Sequence, residues 1–168
     1  MTRSRRPRKV ADVRFYVDAD TLGLGKILAG IRNDVTYPGD PGGEIEGRVR
    51  PPCIITTAAT PDDEWIPTVA AQGWLIITRD KAIQRRLREI ELVVQHSGRM
   101  LTLSSDQVLR RFDMLHIAMK WWPRIESILD APGPTIWTAT RTQCEPKDPY
   151  KLLRDARERK RPRRGPVA

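Results

Sequence analysis

The apolar positions of this chain fall into two patterns that alternate along the sequence. Short runs rich in β-branched and aromatic residues predict strands over 14–17, 34–37, 74–77, 100–103 and 135–138. Between these runs, apolar residues recur at helical spacing and predict helices over 22–31, from residue 60 or 62 to Gly73, around 83–90 and over about 105–130. Strands that alternate with helices predict an α/β fold, a three-layer α/β/α sandwich with a mostly parallel central sheet.

The apolar stripes also predict which side chains face the core. In the helix that starts at Thr60 or Asp62, one of which is expected to cap it, the inward residues are Trp65, Val69 and, less clearly, Ile66. The stripe of the 105–130 helix consists of Val108, Phe112, Leu115, Met119 and Trp122. We expect this helix to bend or break near Pro123. Residues 38–52 are rich in proline and glycine and predict a long loop.

Charge divides the chain into three parts. The formal net charge is +9, yet the basic residues concentrate at the two ends, with five among residues 1–10 and eight among residues 151–168. We therefore divide the chain into a basic N-terminal tail over 1–12, a domain over 13–140 and a basic C-terminal extension over 141–168. Basic ends of this kind either follow a nucleic-acid backbone or simply carry solvated charge.

Several classes of protein are excluded by composition. Cys53 and Cys144 stand alone, so neither a disulfide framework nor a zinc site is expected. No apolar stretch approaches the ~18 residues of a membrane span. The pair Arg5 and Arg6 suggests an export signal, but no apolar segment follows it. We expect a cytoplasmic protein that does not contact a membrane.

Candidate chemistry lies where the predicted strands end. Asp18 follows the first strand, Asp80 follows the 74–77 strand after a short turn, and Asp62, Asp63 and Glu64 open a helix. The carboxyl ends of parallel strands meet at one edge of the sheet, which is where such folds place their sites. Gathered carboxylates repel one another unless a hard cation such as Mg²⁺ or Mn²⁺ lies between them, and such a site suits phosphodiester hydrolysis.

Three short motifs follow one another along the chain in the order that is typical of a known family. Residues 16–20 read Tyr-Val-Asp-Ala-Asp, residues 60–65 read Thr-Pro-Asp-Asp-Glu-Trp, and residues 76–81 read Ile-Ile-Thr-Arg-Asp-Lys. This arrangement resembles the PIN-like domain family, in particular the toxin-related PIN nucleases of toxin–antitoxin systems. The resemblance covers roughly residues 14–140, so the 13–140 domain is expected to be PIN-like.

The resemblance implies an activity and a set of site residues. The implied activity is that of a metal-dependent endoribonuclease, in which Mg²⁺ (or Mn²⁺) activates the water that hydrolyses RNA. Asp18, Asp62 and Asp80 are implied as the catalytic, metal-binding acids. The register within the acidic helix start stays open, so Glu64 is an alternate catalytic residue and Asp63 an alternate metal ligand. RNA, a cognate antitoxin protein and a second copy of the chain are the implied partners.

The surroundings of the site are less well defined by the motifs. Arg79, Lys81 and Arg85 follow the 74–77 strand and are candidate substrate-binding residues, with ordinary solvated charge as the alternative. A fourth acid is common in this family, and Asp106 and Asp113 both lie near the required place without matching it closely.

Two other functions compete with the nuclease. A non-catalytic PIN-like module that binds RNA or protein would share every motif. A phosphatase of the haloacid dehalogenase type would use Asp18 as nucleophile and Asp20 as acid/base, since residues 18–21 read Asp-Ala-Asp-Thr. No later strand followed by a paired acidic motif is evident, and this second alternative does not explain the motifs around Asp62 and Asp80.

Overall fold

The computed structural model describes residues 8–82 and 86–161. These residues form nine strands and five α-helices. The strands are β1 (Lys9–Val10), β2 (Phe15–Val17), β3 (Val35–Thr36), β4 (Gly43–Ile45), β5 (Arg48–Arg50), β6 (Leu75–Thr78), β7 (Arg99–Leu103), β8 (Thr135–Ala139) and β9 (Cys144–Lys147). The helices are α1 (Leu22–Ile31), α2 (Asp62–Ala71), α3 (Leu87–Gln95), α4 (Arg111–Ile128) and α5 (Pro149–Lys160).

Six strands form the central sheet, in the order β3-β2-β6-β7-β8-β9. The pairs from β3 to β8 are all parallel, and only β9 runs antiparallel to its neighbour β8. The predicted α/β/α sandwich with a mostly parallel sheet is therefore confirmed. Each of the five predicted strands is present, with bounds that differ from the prediction by at most two residues.

The two faces of the sheet pack against different helices. Phe15 and Ile77 point to the face covered by α1 and α4, whereas Tyr16 and Ile76 point to the face covered by α2 and α3. All four side chains are buried. Successive residues of one strand thus enter opposite cores, which explains why these strands are apolar throughout instead of alternating with polar residues.

Helix α1 lies close to the sheet because it carries a glycine at its contact point. A Cβ atom on Gly25 would lie 2.9 Å from Cβ of Tyr37 and 3.2 Å from Cβ of Val17. The bounds of α1 agree with the predicted helix over 22–31. Its packing fixes the segment that follows β2, where the first acidic residues lie.

The predicted loop over 38–52 is partly ordered as a hairpin, which corrects the sequence prediction. Strands β4 and β5 pair antiparallel, and β1 adds to β5 in parallel. The turn between β4 and β5 uses Glu46 and Gly47, both with positive φ. Glycine and proline content cannot distinguish a hairpin this short from an irregular loop, because the strands contain only three residues each.

A buried ion pair holds this hairpin to the body of the domain. Nε of Arg50 donates to Oδ2 of Asp40 at 2.7 Å, and both side chains are almost fully buried. Nη1 of Arg50 also donates to the carbonyl oxygen of Ala29 in α1 at 2.9 Å. Thr36 Oγ1 donates to Asp40 Oδ2 at 3.0 Å. The segment is therefore fixed by charge-assisted hydrogen bonds instead of by a large apolar core.

Helix α4 differs from its prediction in both its start and its buried face. It begins at Arg111 instead of near residue 105, and it continues through Pro123 without interruption. The residues it buries are Met114, Ile117, Ala118, Ile125 and Ile128. Three members of the predicted stripe are exposed, namely Val108 (87%), Phe112 (77%) and Met119 (64%). The segment carries two apolar stripes, and the sequence does not say which of them the sheet covers.

Strands and a helix continue on both sides of residues 13–140. Strand β9 joins the sheet beyond residue 140, and α5 packs on α3 through Leu153 and Ala156. At the other end, Lys9 and Val10 pair with β5. The described parts of both basic ends are therefore attached to the fold. None of the helices in the described residues is long and apolar enough to cross a membrane.

Candidate functional site

The two central parallel strands bring the first acids to the carboxyl edge of the sheet. Val17 of β2 lies beside Ile77 of β6, and the backbone N–H of Asp18 donates to the carbonyl oxygen of Ile77 at 2.9 Å. Asp18 then opens a short 3₁₀ turn, where its Oδ1 accepts from the backbone N–H of Ala19 at 2.5 Å. The strand end and this cap fix the position of the Asp18 carboxylate.

A threonine hydroxyl joins two of the carboxylates. Oγ1 of Thr78, the last residue of β6, lies 3.2 Å from Oδ2 of Asp18 and 3.3 Å from Oδ1 of Asp20. A hydroxyl carries one proton, so it can donate to only one of these carboxylates at a time. The 3₁₀ turn brings Asp20 to the same side as Asp18. Asp20 was predicted only for the phosphatase alternative, and its spacing of two residues from Asp18 is the signal that pointed to it.

Burial and mutual repulsion make this pair unusual electrostatically. Burial, reinforced by the negative charge of Asp20, raises the pKa of Asp18 to about 7. Burial likewise raises the pKa of Asp20, although a hydrogen bond from the backbone of Arg79 opposes the shift. The pKa of Tyr16 is also raised, by burial first and by the Asp18 charge second. The fold therefore disfavours the ionised forms of both carboxylates.

Of the three acids at the start of α2, Asp62 is the one that lines the same pocket as Asp18 and Asp20. Oδ1 of Asp62 accepts from the indole Nε1 of Trp65 at 2.8 Å. The Trp65 ring is buried and stacks on Tyr16 with centroids 5.3 Å apart. Asp63 and Glu64 are exposed and are not among the residues that line this pocket. The predicted cap is also corrected, because Pro61 is the N-cap residue and Asp62 is the first residue of α2.

Asp80 lies on the opposite side of the same pocket. Its Oδ1 accepts from the backbone N–H of Ala82 at 2.8 Å, and its own N–H donates to Oγ1 of Thr78 at 3.1 Å. Nη1 of Arg86 lies 3.3 Å from Oδ2 of Asp80 and 3.5 Å from Oε1 of Glu89. Arg86 is thus a cation at the rim of an otherwise acidic pocket.

These residues line one pocket of about 190 Å³ at the carboxyl edge of the sheet. Its acidic members are Asp18, Asp20, Asp62 and Asp80. The structure therefore brings together the three aspartates implied by the motifs and adds Asp20 to them. We call this pocket the acidic pocket.

The carboxylates of the acidic pocket are the kind of ligand that a magnesium site uses. In this structure, hydrogen bonds to protein groups set the positions of these carboxylates. Mg²⁺ prefers carboxylate oxygens and retains several waters, which matches four aspartates around a small pocket. Within residues 8–82 and 86–161, no three His, Cys, Asp or Glu side chains are already grouped to hold an ion. Asp62 and Asp80 each give an oxygen to a protein N–H. Binding of an ion would therefore require these side chains to rearrange.

A wider pocket of about 560 Å³ adjoins the acidic pocket and shares Asp20 and Asp80 with it. Arg79, Lys81 and Asp106 line it. The Lys81 Nζ donates to the carbonyl oxygen of Ser105, and Nη1 of Arg79 lies 3.5 Å from that of Leu109. Two of the three predicted substrate-binding cations therefore lie beside the acidic pocket. The third, Arg85, falls outside the described residues.

The two candidates for a fourth acid have different positions. Asp106 follows β7 and lines the wider pocket, which Asp80 also lines. Asp113 belongs to α4, where its Oδ2 accepts from the N–H of Arg110 at 3.0 Å and its Oδ1 pairs with Arg141 at 2.6 Å. Asp113 is thus used in a helix cap and an ion pair, while Asp20 contributes the fourth carboxylate of the acidic pocket.

Comparison with known families agrees with this geometry. Residues 45–105 match a family model described as a PIN-like domain. Over this segment, about a third of the chain, the sequence is similar to PIN-like domains. The match includes α2 and β6 and therefore Asp62, Thr78 and Asp80, while Asp18 and Asp20 lie before it. No curated protein and no solved structure matches the chain.

Proposed function

We propose that this PIN-like protein is a Mg²⁺-dependent endoribonuclease, with Mn²⁺ as an alternative ion. The observation that carries the proposal is the acidic pocket, in which Asp18, Asp20, Asp62 and Asp80 surround about 190 Å³ at the carboxyl edge of a parallel sheet. The PIN-like domain supports a nuclease-type fold. A basic chain of net charge +9 suits a polyanionic substrate.

The raised pKa of Asp18 supports a cation as part of the working site. Burial of several carboxylates without a counter-charge is unfavourable, and a divalent ion is the usual partner that removes this cost. Asp18, Asp62 and Asp80 would hold the ion, with Asp20 beside it. When bound, Mg²⁺ supplies a water of lowered pKa and neutralises charge on the attacked phosphate.

The protein's own residues provide positioning. The Thr78 hydroxyl lies between Asp18 and Asp20 and donates to one of them at a time, and the Trp65 indole donates to Asp62. Lys81 and Arg79 lie on the wall of the adjoining pocket, where a phosphate next to the cleaved bond would meet positive charge. Preorganised side chains of this kind keep the reacting phosphate in place while the bond breaks.

Two further parts of the proposal concern the biological role and the location of the protein. The toxin of a toxin–antitoxin pair is the role implied by the motifs, and an antitoxin would then cover the acidic pocket. A cytoplasmic location is supported by two cysteines that form no disulfide. These points rest on the same site and depend on the proposed activity.

A phosphatase is a second candidate because Asp20 lies beside Asp18 as that chemistry needs. The strand ends nearest the site offer one further acid, Asp106 after β7, instead of an acidic pair. The site therefore resembles a cluster around an ion more than a nucleophile with its acid/base partner. Steady release of phosphate from a small phosphoester, lost in Asp20→Asn, would favour the phosphatase.

The test compares site variants with a matched control. Labelled single-stranded RNA is incubated with the pure protein and Mg²⁺ or Mn²⁺, using wild type, Asp18→Asn, Asp80→Asn and the control Asp63→Asn. We expect cleavage by wild type and by Asp63→Asn, and loss of at least about 100-fold in both site variants. Absence of cleavage by wild type, with RNA still bound, would favour the non-catalytic module. Equal loss in Asp63→Asn would contradict the assignment of the pocket.

A further inference from the structure

The last turn of α5 lies at the same edge of the sheet as the acidic pocket. Strand β9 runs antiparallel to β8 and places Lys147 opposite Ile136, so β9 ends at the amino edge. Helix α5 begins at Pro149, two residues later. Its 12 residues span about 18 Å, enough to return to the carboxyl edge.

Contacts with α3 confirm this direction. Helix α3 connects the carboxyl end of β6 to the start of β7, so its first residues lie at the carboxyl edge. Ile90 packs with Leu153 and Ala156, and Nη2 of Arg157 lies 3.3 Å from Oε1 of Glu91. The residues after Arg157 therefore lie level with the beginning of α3.

The start of α3 is directly connected to the acidic pocket. Arg86, which precedes α3, lines that pocket and lies 3.3 Å from Asp80. The start of α3 and the last turn of α5 thus lie at the same edge of the sheet, and Arg86 contacts the acidic pocket. We call their exposed cations the basic strip: Arg86, Arg88, Arg157, Arg159, Lys160 and Arg161. Only Glu89, Glu91 and Glu158 lie among them in these described turns, so the strip has an excess of positive charge.

We propose that the basic strip binds the sugar–phosphate backbone of RNA and leads the strand to the acidic pocket. The proposal rests on the function proposed above, since it names how the substrate reaches that site. The acidic pocket alone repels RNA, so the attraction has to come from cations beside it. Arg79 and Lys81 lie in the adjoining pocket and are engaged with backbone carbonyls, whereas Arg159, Lys160 and Arg161 are exposed.

The test measures RNA binding in a chelator, where cleavage does not interfere. Labelled single-stranded RNA is titrated with the full chain at several salt concentrations. The strip variant carries Arg159→Gln, Lys160→Gln and Arg161→Gln. The control removes the same charge outside the strip, through the exposed residues Lys26→Gln, Arg48→Gln and Lys151→Gln. Thermal unfolding of each variant confirms that it is folded.

We expect the strip variant to bind RNA at least about tenfold more weakly than wild type. We also expect the slope of log affinity against log salt concentration to fall by roughly 2, because each of the three lost phosphate contacts removes about 0.7 from that slope. The control should change the affinity less than about threefold. Equal weakening in both variants, or no weakening in the strip variant, would overturn the proposal.

The cleavage assay separates this proposal from the proposed function. If wild type cleaves RNA and the strip variant binds it unchanged, the strip proposal fails while the nuclease stands. If wild type cleaves nothing but the strip variant alone loses binding, the nuclease fails and the strip remains an RNA-binding surface. If the strip variant binds RNA as wild type does but no longer binds an acidic protein partner, the strip proposal is also overturned.

Discussion

Replacement of Asp18 by asparagine is expected to stabilise the protein when no divalent ion is present. The pKa of Asp18 rises from an ordinary value of 3.8 to about 7 in the fold, because the side chain is buried beside Asp20. Each pKa unit corresponds to about 1.36 kcal/mol, so ionised Asp18 costs up to about 4 kcal/mol at high pH. Water in the pocket lowers this cost, and we expect about 2 to 4 kcal/mol.

The pH dependence has a definite sign. Because the folded protein binds the Asp18 proton more tightly than the unfolded chain does, its contribution favours folding at low pH. That contribution is lost as pH rises from about 4 through about 7, where Asp18 ionises in the fold. Asparagine stays neutral and can still accept the hydrogen bond from Ala19. The stability gain of Asp18→Asn should therefore be small near pH 4 and reach its full size above about pH 8.

Urea unfolding followed by tryptophan fluorescence measures this difference, since the chain has five tryptophans. Wild type, Asp18→Asn and the exposed control Asp63→Asn are compared in a chelator across that pH range. Added Mg²⁺ should stabilise wild type and have little effect on Asp18→Asn. An Asp18→Asn protein that is no more stable than wild type at high pH would refute the electrostatic account of the pocket.

Three further predictions concern other parts of the fold. Asp40→Ala leaves the buried Arg50 guanidinium without its carboxylate partner and should lower the free energy of unfolding in urea by about 3 to 5 kcal/mol. Asp40→Leu combined with Arg50→Met should recover most of this loss. A loss below about 1 kcal/mol in Asp40→Ala would contradict a buried ion pair. Trp65→Phe removes the indole donor to Asp62 and should weaken Mg²⁺ binding in calorimetric titration, while the smaller buried ring should cost about 1 to 3 kcal/mol of unfolding free energy. Unchanged Mg²⁺ affinity of the folded variant would show that this contact does not position Asp62. Gly25→Ala should lower stability by about 1 to 3 kcal/mol, since its Cβ would lie 2.9 Å from Tyr37, and a neutral result by thermal unfolding would contradict the close helix–sheet contact.

The central strands could be predicted because burial on both faces leaves a strong signal. The run from Leu75 to Ile77 is apolar at every position, and it continues directly into Thr78 at the carboxyl edge. Once the sheet is known to be parallel, the residues that follow β2 and β6 are neighbours. The proximity of Asp18 to the segment containing Asp80 therefore follows from sequence.

Other features depend on three-dimensional packing and left no such signal. The two apolar stripes of α4 are equivalent by composition, and only contact with the sheet selects Ile117 over Phe112. The hairpin of β4 and β5 depends on the ion pair between Asp40 and Arg50, which join a turn to a strand ten residues later. The charge-rich sequence of α5 gave no indication that the helix returns to the edge of the site.

The site shows the same division. The strand ends determine Asp18, but Asp62, Asp63 and Glu64 are adjacent acids that no pattern distinguishes. Their separation depends on the buried ring of Trp65, whose indole selects Asp62. The place of Asp20 in the pocket could not be predicted without the 3₁₀ turn, because that turn brings Asp20 to the Thr78 hydroxyl.

A crystal structure of the protein grown with Mn²⁺ tests the central claim most directly. We expect an anomalous scattering peak in the acidic pocket, with oxygens of Asp18, Asp62 and Asp80 turned toward it. The same experiment on Asp18→Asn should show the peak weakened or absent. A pocket without a peak at saturating Mn²⁺, or an ion bound elsewhere while Asp18 and Asp80 keep their contacts with Thr78 and Arg86, would contradict a metal-dependent site.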